Sequence, residues 1–234
     1  MTKVLLVEDD KNLSFILKSS LEQMIGGYDV VSVANGKDGL DILTKENFDV
    51  IVSDVEMPIM DGVTMVQHIR KNHPSLAIIF ITGLTTARDV INGYQAGADF
   101  YIKKPFLPEE LDAHIQAVLR MRHNTQVESP TDNDEDTIFT IGKYSFDPTQ
   151  NLLIFENEQH NLTAKESKIL EMLCREKGKI VSRENILNGI WGNSDFYSSR
   201  SLDVFITKLR KYLSKDTDIS LNVLKGVGIC LKVQ

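Results

Sequence analysis

Short apolar runs, rich in β-branched and aromatic residues, alternate with amphipathic stretches along residues 1–122, and this alternation limits what the chain can fold into. The runs are Val4–Val7, Val30–Val33, Val50–Val52, Ala77–Ile81 and Phe100–Ile102. Continuous apolar runs of this length suit strands buried on both faces, as in a parallel sheet. Between them lie helical patterns: Leu13, Ile16, Leu17 and Leu21; Gly39–Leu43; Val63, Val66 and Ile69; Val90, Ile91 and Tyr94; and Leu111, Ile115, Val118 and Leu119. Five strands alternating with five helices predict a doubly wound α/β domain with a five-stranded parallel sheet and right-handed crossovers. In such a sheet a ligand binds beyond the carboxyl ends of the strands, so chemistry is expected just after the apolar runs.

The pattern stops at His123–Asp136, HNTQVESPTDNDED, which has one aliphatic residue and a dense acidic end. That composition cannot bury a core and reads as a linker. Residues 137–234 follow a different plan. Ile138–Ile141, Tyr144–Phe146 and Leu152–Phe155 read as short strands, and Thr163 and Glu166 form a capping box that opens a helix with Ile169, Leu170, Leu173 and Cys174 on its buried stripe. A second helix is expected from about Arg183 and a long third from about Ser199, with Leu202, Ile206, Leu209 and Leu213 at core spacing. The chain closes with Val223–Leu224, Gly226-Val227-Gly228 and Ile229–Val233, a hairpin by its glycines. Strands, three helices and a closing hairpin make a winged helix-turn-helix. The expected organisation is therefore 1–122, a linker over 123–136, and 137–234.

Charge separates the same two parts. Residues 1–136 carry 12 Lys and Arg against 22 Asp and Glu, a balance of −10, and residues 137–234 carry 14 against 11, a balance of +3, giving −7 for the chain. Acidity counts against nucleic-acid binding by the first part and permits it in the second. No stretch of about 18 apolar residues is present, so no membrane span is expected. The N-terminal MTKVLLVEDD places acids directly after its short apolar run, unlike a signal peptide, which points to the cytoplasm. Cys174 and Cys230 then read as reduced thiols, and no His lies near either at metal-ligand spacing.

The strand ends of the first part deliver polar residues. The first run is followed by Glu8-Asp9-Asp10, the third by Asp54, the fourth by Thr82, and the fifth region carries Lys104 before Pro105. Carboxylates about 4 Å apart repel by several kcal/mol at a reduced effective dielectric, so a cation is required among them. Oxygen-only ligands on a shallow site favour Mg²⁺. Phosphoryl transfer to a carboxylate needs this set: Asp54 as nucleophile, Mg²⁺ to neutralise developing charge, and Lys104 and Thr82 to bind phosphoryl oxygens. Asp10 also suits a helix cap, and both roles remain open for it. Asp54 lies in Ser53-Asp54-Val55-Glu56-Met57-Pro58, where no helix begins at once, so capping explains it less well.

Residues 1–121 resemble the receiver domain of two-component response regulators. The resemblance is carried by Val7-Glu8-Asp9-Asp10, Asp54-x-x-Met57-Pro58-x-Met60-Asp61-Gly62, Thr82, Gly97-Ala98-Asp99, Tyr101 and Lys103-Lys104-Pro105-Phe106. It implies phosphorylation of Asp54 by a sensor histidine kinase, Glu8 and Asp9 as the acid pair, and Asp9, Asp54 and the Glu56 carbonyl as metal ligands. It also implies a switch in which the Thr82 hydroxyl moves toward the phosphoryl group while the Tyr101 ring turns inward. Phosphatases of the haloacid-dehalogenase type also phosphorylate an Asp but want a second Asp two residues on. Here that position is Glu56, so an enzyme acting on other substrates is not expected, only self-phosphorylation and dephosphorylation.

Residues 137–234 resemble the effector domain of the OmpR/PhoB family. The matching segments are Leu162-Thr163-x-x-Glu166, Val181-Ser182-Arg183-Glu184-x-Ile186-Leu187, Trp191-Gly192, Arg200-Ser201-Leu202-Asp203-Val204-x-Ile206-x-Lys208-Leu209-Arg210-Lys211 and Lys225-Gly226-Val227-Gly228. The similarity implies double-stranded DNA as ligand, with Arg200, Ser201, Val204, Lys208 and Arg210 facing it and Lys225 on the wing. RNA polymerase is a further partner consistent with such a transcription regulator. The wing departs from the usual Gly-x-Gly-Tyr-Arg-Phe, reading Gly228-Ile229-Cys230-Leu231, and Thr207 stands where Arg is common. Active family members pair as homodimers through the fourth helix, fifth strand and fifth helix, a face crossed by ion pairs. Val90, Gln95, Phe100, His114 and Gln116 replace charges there, while Asp99 and Glu110 remain, which predicts an altered or weaker contact. A constitutive DNA-binding regulator with a retired receiver is the competing reading, and the intact Glu8, Asp9, Asp54, Thr82 and Lys104 set argues against it.

Overall fold

A computed structural model describes residues 1–83, 87–123, 138–191 and 196–234, with the side chains of 87–90, 121–123 and 196–200 outside that description. The chain divides into two compact units, Met1–Arg122 and His123–Gln234. Residues 124–136 of the expected linker, and Gly192, lie outside the described residues.

In the first unit, β1 (Thr2–Val7), β2 (Tyr28–Val33), β3 (Val50–Asp54), β4 (Ala77–Thr82) and β5 (Phe100–Lys103) form one parallel sheet in the order β2-β1-β3-β4-β5. The helices are α1 (Lys11–Ser19), α2 (Gly36–Leu43), α3 (Gly62–Asn72), α4 (Ala87–Ala96) and α5 (Pro108–His123). Strands β1, β3 and β4 are almost wholly buried, which accounts for their unbroken apolar runs. The chain winds first from β1 to β2 and then back across to β3 on the other side. The carboxyl ends of β1 and β3 therefore flank the switch point where a crevice opens.

The α1 stripe is narrower than its sequence suggests. Leu17 and Leu21 are buried, but Ile16 is 53% exposed and Phe15 72% exposed. Beyond Ser19 the backbone widens into a π-helical turn, Ser20–Ile25, which ends at Gly26. Leu13, Leu17 and Leu21 recur every four residues and point at the sheet, while Ile16 lies off that line.

In the second unit, β6 (Phe139–Ile141), β7 (Tyr144–Asp147), β8 (Leu152–Phe155) and β9 (Glu158–Asn161) form an antiparallel meander. Then follow α6 (Ala164–Arg175), β10 (Val181–Ser182), α7 (Arg183–Trp191), α8 (Phe196–Tyr212), β11 (Ile219–Leu224) and β12 (Gly228–Val233), with the last two strands and β10 paired as β10-β12-β11. The capping box is present, Thr163 Oγ1 accepting from the Glu166 N–H at 3.3 Å and Glu166 Oε2 from the Thr163 N–H at 2.9 Å. Leu202, Ile206, Leu209 and Leu213 are buried as their spacing predicts. The helix that carries the first three begins at Phe196, earlier than expected, and Leu213 opens the 3-10 turn that follows it. Strands β9 and β10 are absent from the sequence expectation. Strand β9, EQHN, exposes all four side chains and pairs with β8 as an edge, with the His160 ring 4.0 Å from that of Tyr212 and Glu158 paired with Lys215.

Candidate functional site

The acidic pocket is assembled by strand ends. Glu8 follows β1 and is 2% exposed, Asp54 ends β3 at 8%, and Thr82 ends β4 with no exposure at all. Asp9 is exposed. Carboxylate oxygens of Glu8, Asp9 and Asp54 lie within 4.8 Å of one another. Lys104 extends over them from the loop after β5, its Nζ donating to Glu8 Oε2 at 2.8 Å and to Asp54 Oδ2 at 2.5 Å. That loop is tied to β4 by the Lys104 N–H donating to the Thr82 carbonyl at 2.8 Å.

Asp54 is fixed on its other side by backbone. Its Oδ1 accepts the Val55 N–H at 2.5 Å and the Glu56 N–H at 3.3 Å. The Glu56 side chain points to solvent, so only its main chain belongs to the pocket. The Asp54 carbonyl accepts from Ser53 Oγ at 2.7 Å. Gly62, the first residue of α3, packs so closely that a Cβ there would stand 2.1 Å from the Asp54 carbonyl oxygen. Nothing in the residue pattern marks Ser53 as a support of the site, and Gly62 stands in the Met60-Asp61-Gly62 motif for a reason that only the close approach of α3 to β3 reveals.

Asp10 takes the capping role: its Oδ1 accepts the N–H groups of Asn12 at 2.8 Å and Leu13 at 3.1 Å. Burial pushes the Glu8 carboxyl above its ordinary range, the Asp54 charge adds to this, and Lys104 recovers only part. Burial works against the Lys104 ammonium, but the hydrogen bonds and charges of Asp54 and Glu8 outweigh it and hold its pKa above the usual lysine value. Among the described residues this is the group of acids whose oxygens converge enough to hold a cation. The donor set is all oxygen with one acid open to solvent, which suits a hard divalent ion that keeps its waters.

Tyr101, on the neighbouring strand, is half-buried with its hydroxyl oxygen buried. Its ring meets Phe80 edge-on at 6.4 Å and lies 6.3 Å from the ring of Tyr94. Gly93 of α4 lies against it, since a Cβ there would come within 3.1 Å of the ring. The ring therefore already occupies a seat between β4 and α4.

One charge assigned to the α4–β5–α5 face is elsewhere. Asp99 is 2% exposed, paired with Arg70 Nη2 at 3.0 Å and accepting the Ile78 N–H at 2.8 Å. The same guanidinium donates to the Gly97 carbonyl from Nε at 2.9 Å and Nη2 at 2.7 Å, so α3 is clasped to the α4–β5 junction. Asp99 is thus withdrawn from the face by its pairing with the half-buried Arg70. Phe100 is likewise buried, with its ring 4.9 Å from that of His114. Gln95, Gln116 and Glu110 remain exposed there; the Val90 side chain lies outside the described residues.

In the second unit, α8 packs against α6, α7 and β11. That covers much of its circumference. Ser201 is fully buried and Val204 is 7% exposed, so neither presents its side chain as the resemblance implied. The exposed stripe is Asp203, Thr207, Arg210 and Lys211. Arg210 also donates to the Leu221 carbonyl from Nη2 at 2.9 Å, pinning α8 to the closing hairpin. Asp203 accepts from Arg183 Nη1 at 2.8 Å, tying α8 to α7. Lys208 lies 3.4 Å from Glu166 Oε1. Lys225 is exposed at the hairpin turn, beside Val227 at 56% exposure. Arg200 is on α8, with its side chain outside the described residues. Gly228 is a packing residue, because a Cβ there would stand 2.2 Å from the Val181 carbonyl oxygen.

Comparison with known proteins agrees with both halves of this geometry. Residues 4–116 match the response regulator receiver domain, and residues 157–231 match the C-terminal region of transcriptional regulatory proteins. The transcriptional regulatory protein RprY of Bacteroides fragilis is 37% identical over 226 residues, covering 97% of this chain and 92% of its own. The alkaline phosphatase synthesis transcriptional regulatory protein PhoP of Bacillus subtilis is 32% identical over 234 residues, covering 98% and 96%. The crystal structure of the response regulator DrrB, a Thermotoga maritima OmpR/PhoB homologue, superimposes with a TM-score of 0.51 at 29% identity over 99% of each chain.

Proposed function

This chain belongs to the OmpR/PhoB family of response regulators, a receiver joined to a DNA-binding region, and we propose that it is switched by a phosphoryl group carried on Asp54. Lys104 bridging Glu8 and Asp54 is the observation that carries this reading. A lysine drawn onto two acids at the open end of a parallel sheet is a cation placed to accept phosphoryl oxygens once they arrive. Asp54 Oδ1 is held by backbone N–H groups, which leaves Oδ2, the oxygen facing Lys104, to attack. A bond forms from Oδ2 to phosphorus as the bond from phosphorus to the kinase histidine nitrogen breaks, and that nitrogen leaves with the electron pair. Lys104 keeps its proton and spreads its hydrogen bonds over the incoming oxygens.

Glu8, Asp9, Asp54 and the Glu56 carbonyl would hold Mg²⁺, which when bound supplies charge neutralisation for the approaching phosphoryl oxygens. Thr82 would hydrogen-bond the phosphoryl group, and Tyr101, resting on Gly93 and Phe80, would report the change to α4 and β5. The donor of the phosphoryl group is a sensor histidine kinase. Phe15 and Ile16 on α1 offer it an apolar foothold beside the acidic loop. The DNA-facing cations are Arg200, Arg210 and Lys225, while Ser201 and Val204 seat the helix. Dimerisation of the phosphorylated form, recruitment of RNA polymerase and residence in the cytoplasm complete the reading; among the described residues no helix is long and apolar enough to cross a membrane.

The test is intact-mass measurement after incubation with Mg²⁺ and a small phosphodonor. The wild type should gain one phosphoryl group and Asp54→Ala none. No gain on the wild type, or an unchanged gain on Asp54→Ala, contradicts the proposal.

A further inference from the structure

Glu166 is buried, and its carboxylate does more than complete the cap of α6. Oε2 accepts the Thr163 N–H. Oε1 lies 3.4 Å from Lys208 Nζ and accepts from the Tyr212 hydroxyl at 3.5 Å. Lys208 and Tyr212 are four residues apart, on one side of α8, so a single carboxylate grips a full turn of that helix.

The two partners are not equally dry. The Glu166 side chain is 3% exposed and the Lys208 side chain 20%. Removing the cation from a buried carboxylate leaves an uncompensated charge, whereas a partly wet ammonium loses far less when its partner goes. The pair therefore answers a need of Glu166. A lysine adds to DNA affinity by neutralising a phosphate and releasing its condensed cations, and it does so fully only when its charge is not already matched. Arg210 differs in this respect, because the group it holds, the Leu221 carbonyl, is neutral.

We propose that Glu166 is a positioning residue of the DNA-reading helix that holds Lys208 against α6 and withholds its charge from duplex DNA. This rests on the reading of residues 137–234 as the DNA-binding unit. A glutamine at the same place also completes a capping box, so Glu166→Gln keeps the helix start while removing the charge.

The experiment measures binding of the full chain to a mixed-sequence DNA duplex across a salt series. Glu166→Gln should steepen the slope of log affinity against log salt by about 0.9, the effect of one further phosphate contact. Lys208→Gln should cancel that gain in the Glu166→Gln background and leave the slope unchanged in the wild type. Equal slopes for the wild type and a folded Glu166→Gln overturn the proposal. So does a Lys208→Gln variant whose slope flattens in the wild-type background, and that single variant decides the matter if Glu166→Gln does not fold. A wild type that binds no duplex at all, a result distinct from either, overturns the DNA-binding reading and this inference with it.

Discussion

Gly62 determines whether Asp54 can sit where it does. With the Asp54 carbonyl 2.1 Å from the position of a Cβ, Gly62→Ala must push α3 or the β3 end aside. Overpacking of this kind costs about 1–3 kcal/mol, and a urea titration of Gly62→Ala should show a loss of that size. Glu8 makes a pH-dependent prediction. Its carboxyl is raised above the ordinary 4.5, so between that value and its folded one the native state binds more protons than the unfolded, and stability falls as pH rises through the window. Glu8→Gln should therefore gain stability relative to the wild type as pH rises from below 4.5, in denaturation without divalent ions. Lys104, raised above 10.5, contributes stability that is complete below that value and lost as pH climbs past it. Much of this pocket was legible in the sequence because strand ends place residues without regard to side-chain detail. The role of Asp10, left between pocket and cap by the residues alone, is settled by the fold: it caps α1 because a helix begins immediately after it.

Elements show where periodicity succeeds and where it misleads. The buried strands of the first unit announce themselves by unbroken apolar runs, and α8 by its leucine spacing. Strand β9 carries no such signal, since its pairing with β8 and its side-chain contacts to Tyr212 and Lys215 are set by residues distant in sequence. Ile16 fits a helical stripe in sequence yet is exposed, because α1 turns a four-residue repeat toward the sheet. The same exposure gives α1 its proposed use. Phe15→Ala and Ile16→Ala should slow phosphoryl transfer from the cognate kinase by about tenfold, roughly 1.4 kcal/mol of lost contact. Phosphorylation by a small phosphodonor should be unaffected. Equal slowing with both donors would place the defect in the pocket and not in docking.

At the scale of the whole molecule, two units divide the chain: the first holds the acidic pocket, and residues 137–234 of the second carry 14 Lys and Arg against 11 Asp and Glu. The composition and charge split made that division readable. The withdrawal of Asp99 was not readable, because the partner that claims it, Arg70, lies 29 residues away on α3. With Asp99 and Phe100 buried, two positions of the α4–β5–α5 face offer no charge to pair across a dimer. Sedimentation with a phosphoryl mimic should show a dimer whose stability changes little with salt, since exposed ion pairs are what salt screens. A strictly monomeric activated form would contradict it. The central claim is that Asp54 governs the DNA-binding unit, and footprinting on genomic DNA with and without phosphodonor tests it directly. Protection should appear or strengthen with phosphodonor for the wild type and stay at its basal level for Asp54→Ala. Identical footprints for both proteins, indifferent to phosphodonor, would mean a constitutive DNA-binding protein and would contradict the account.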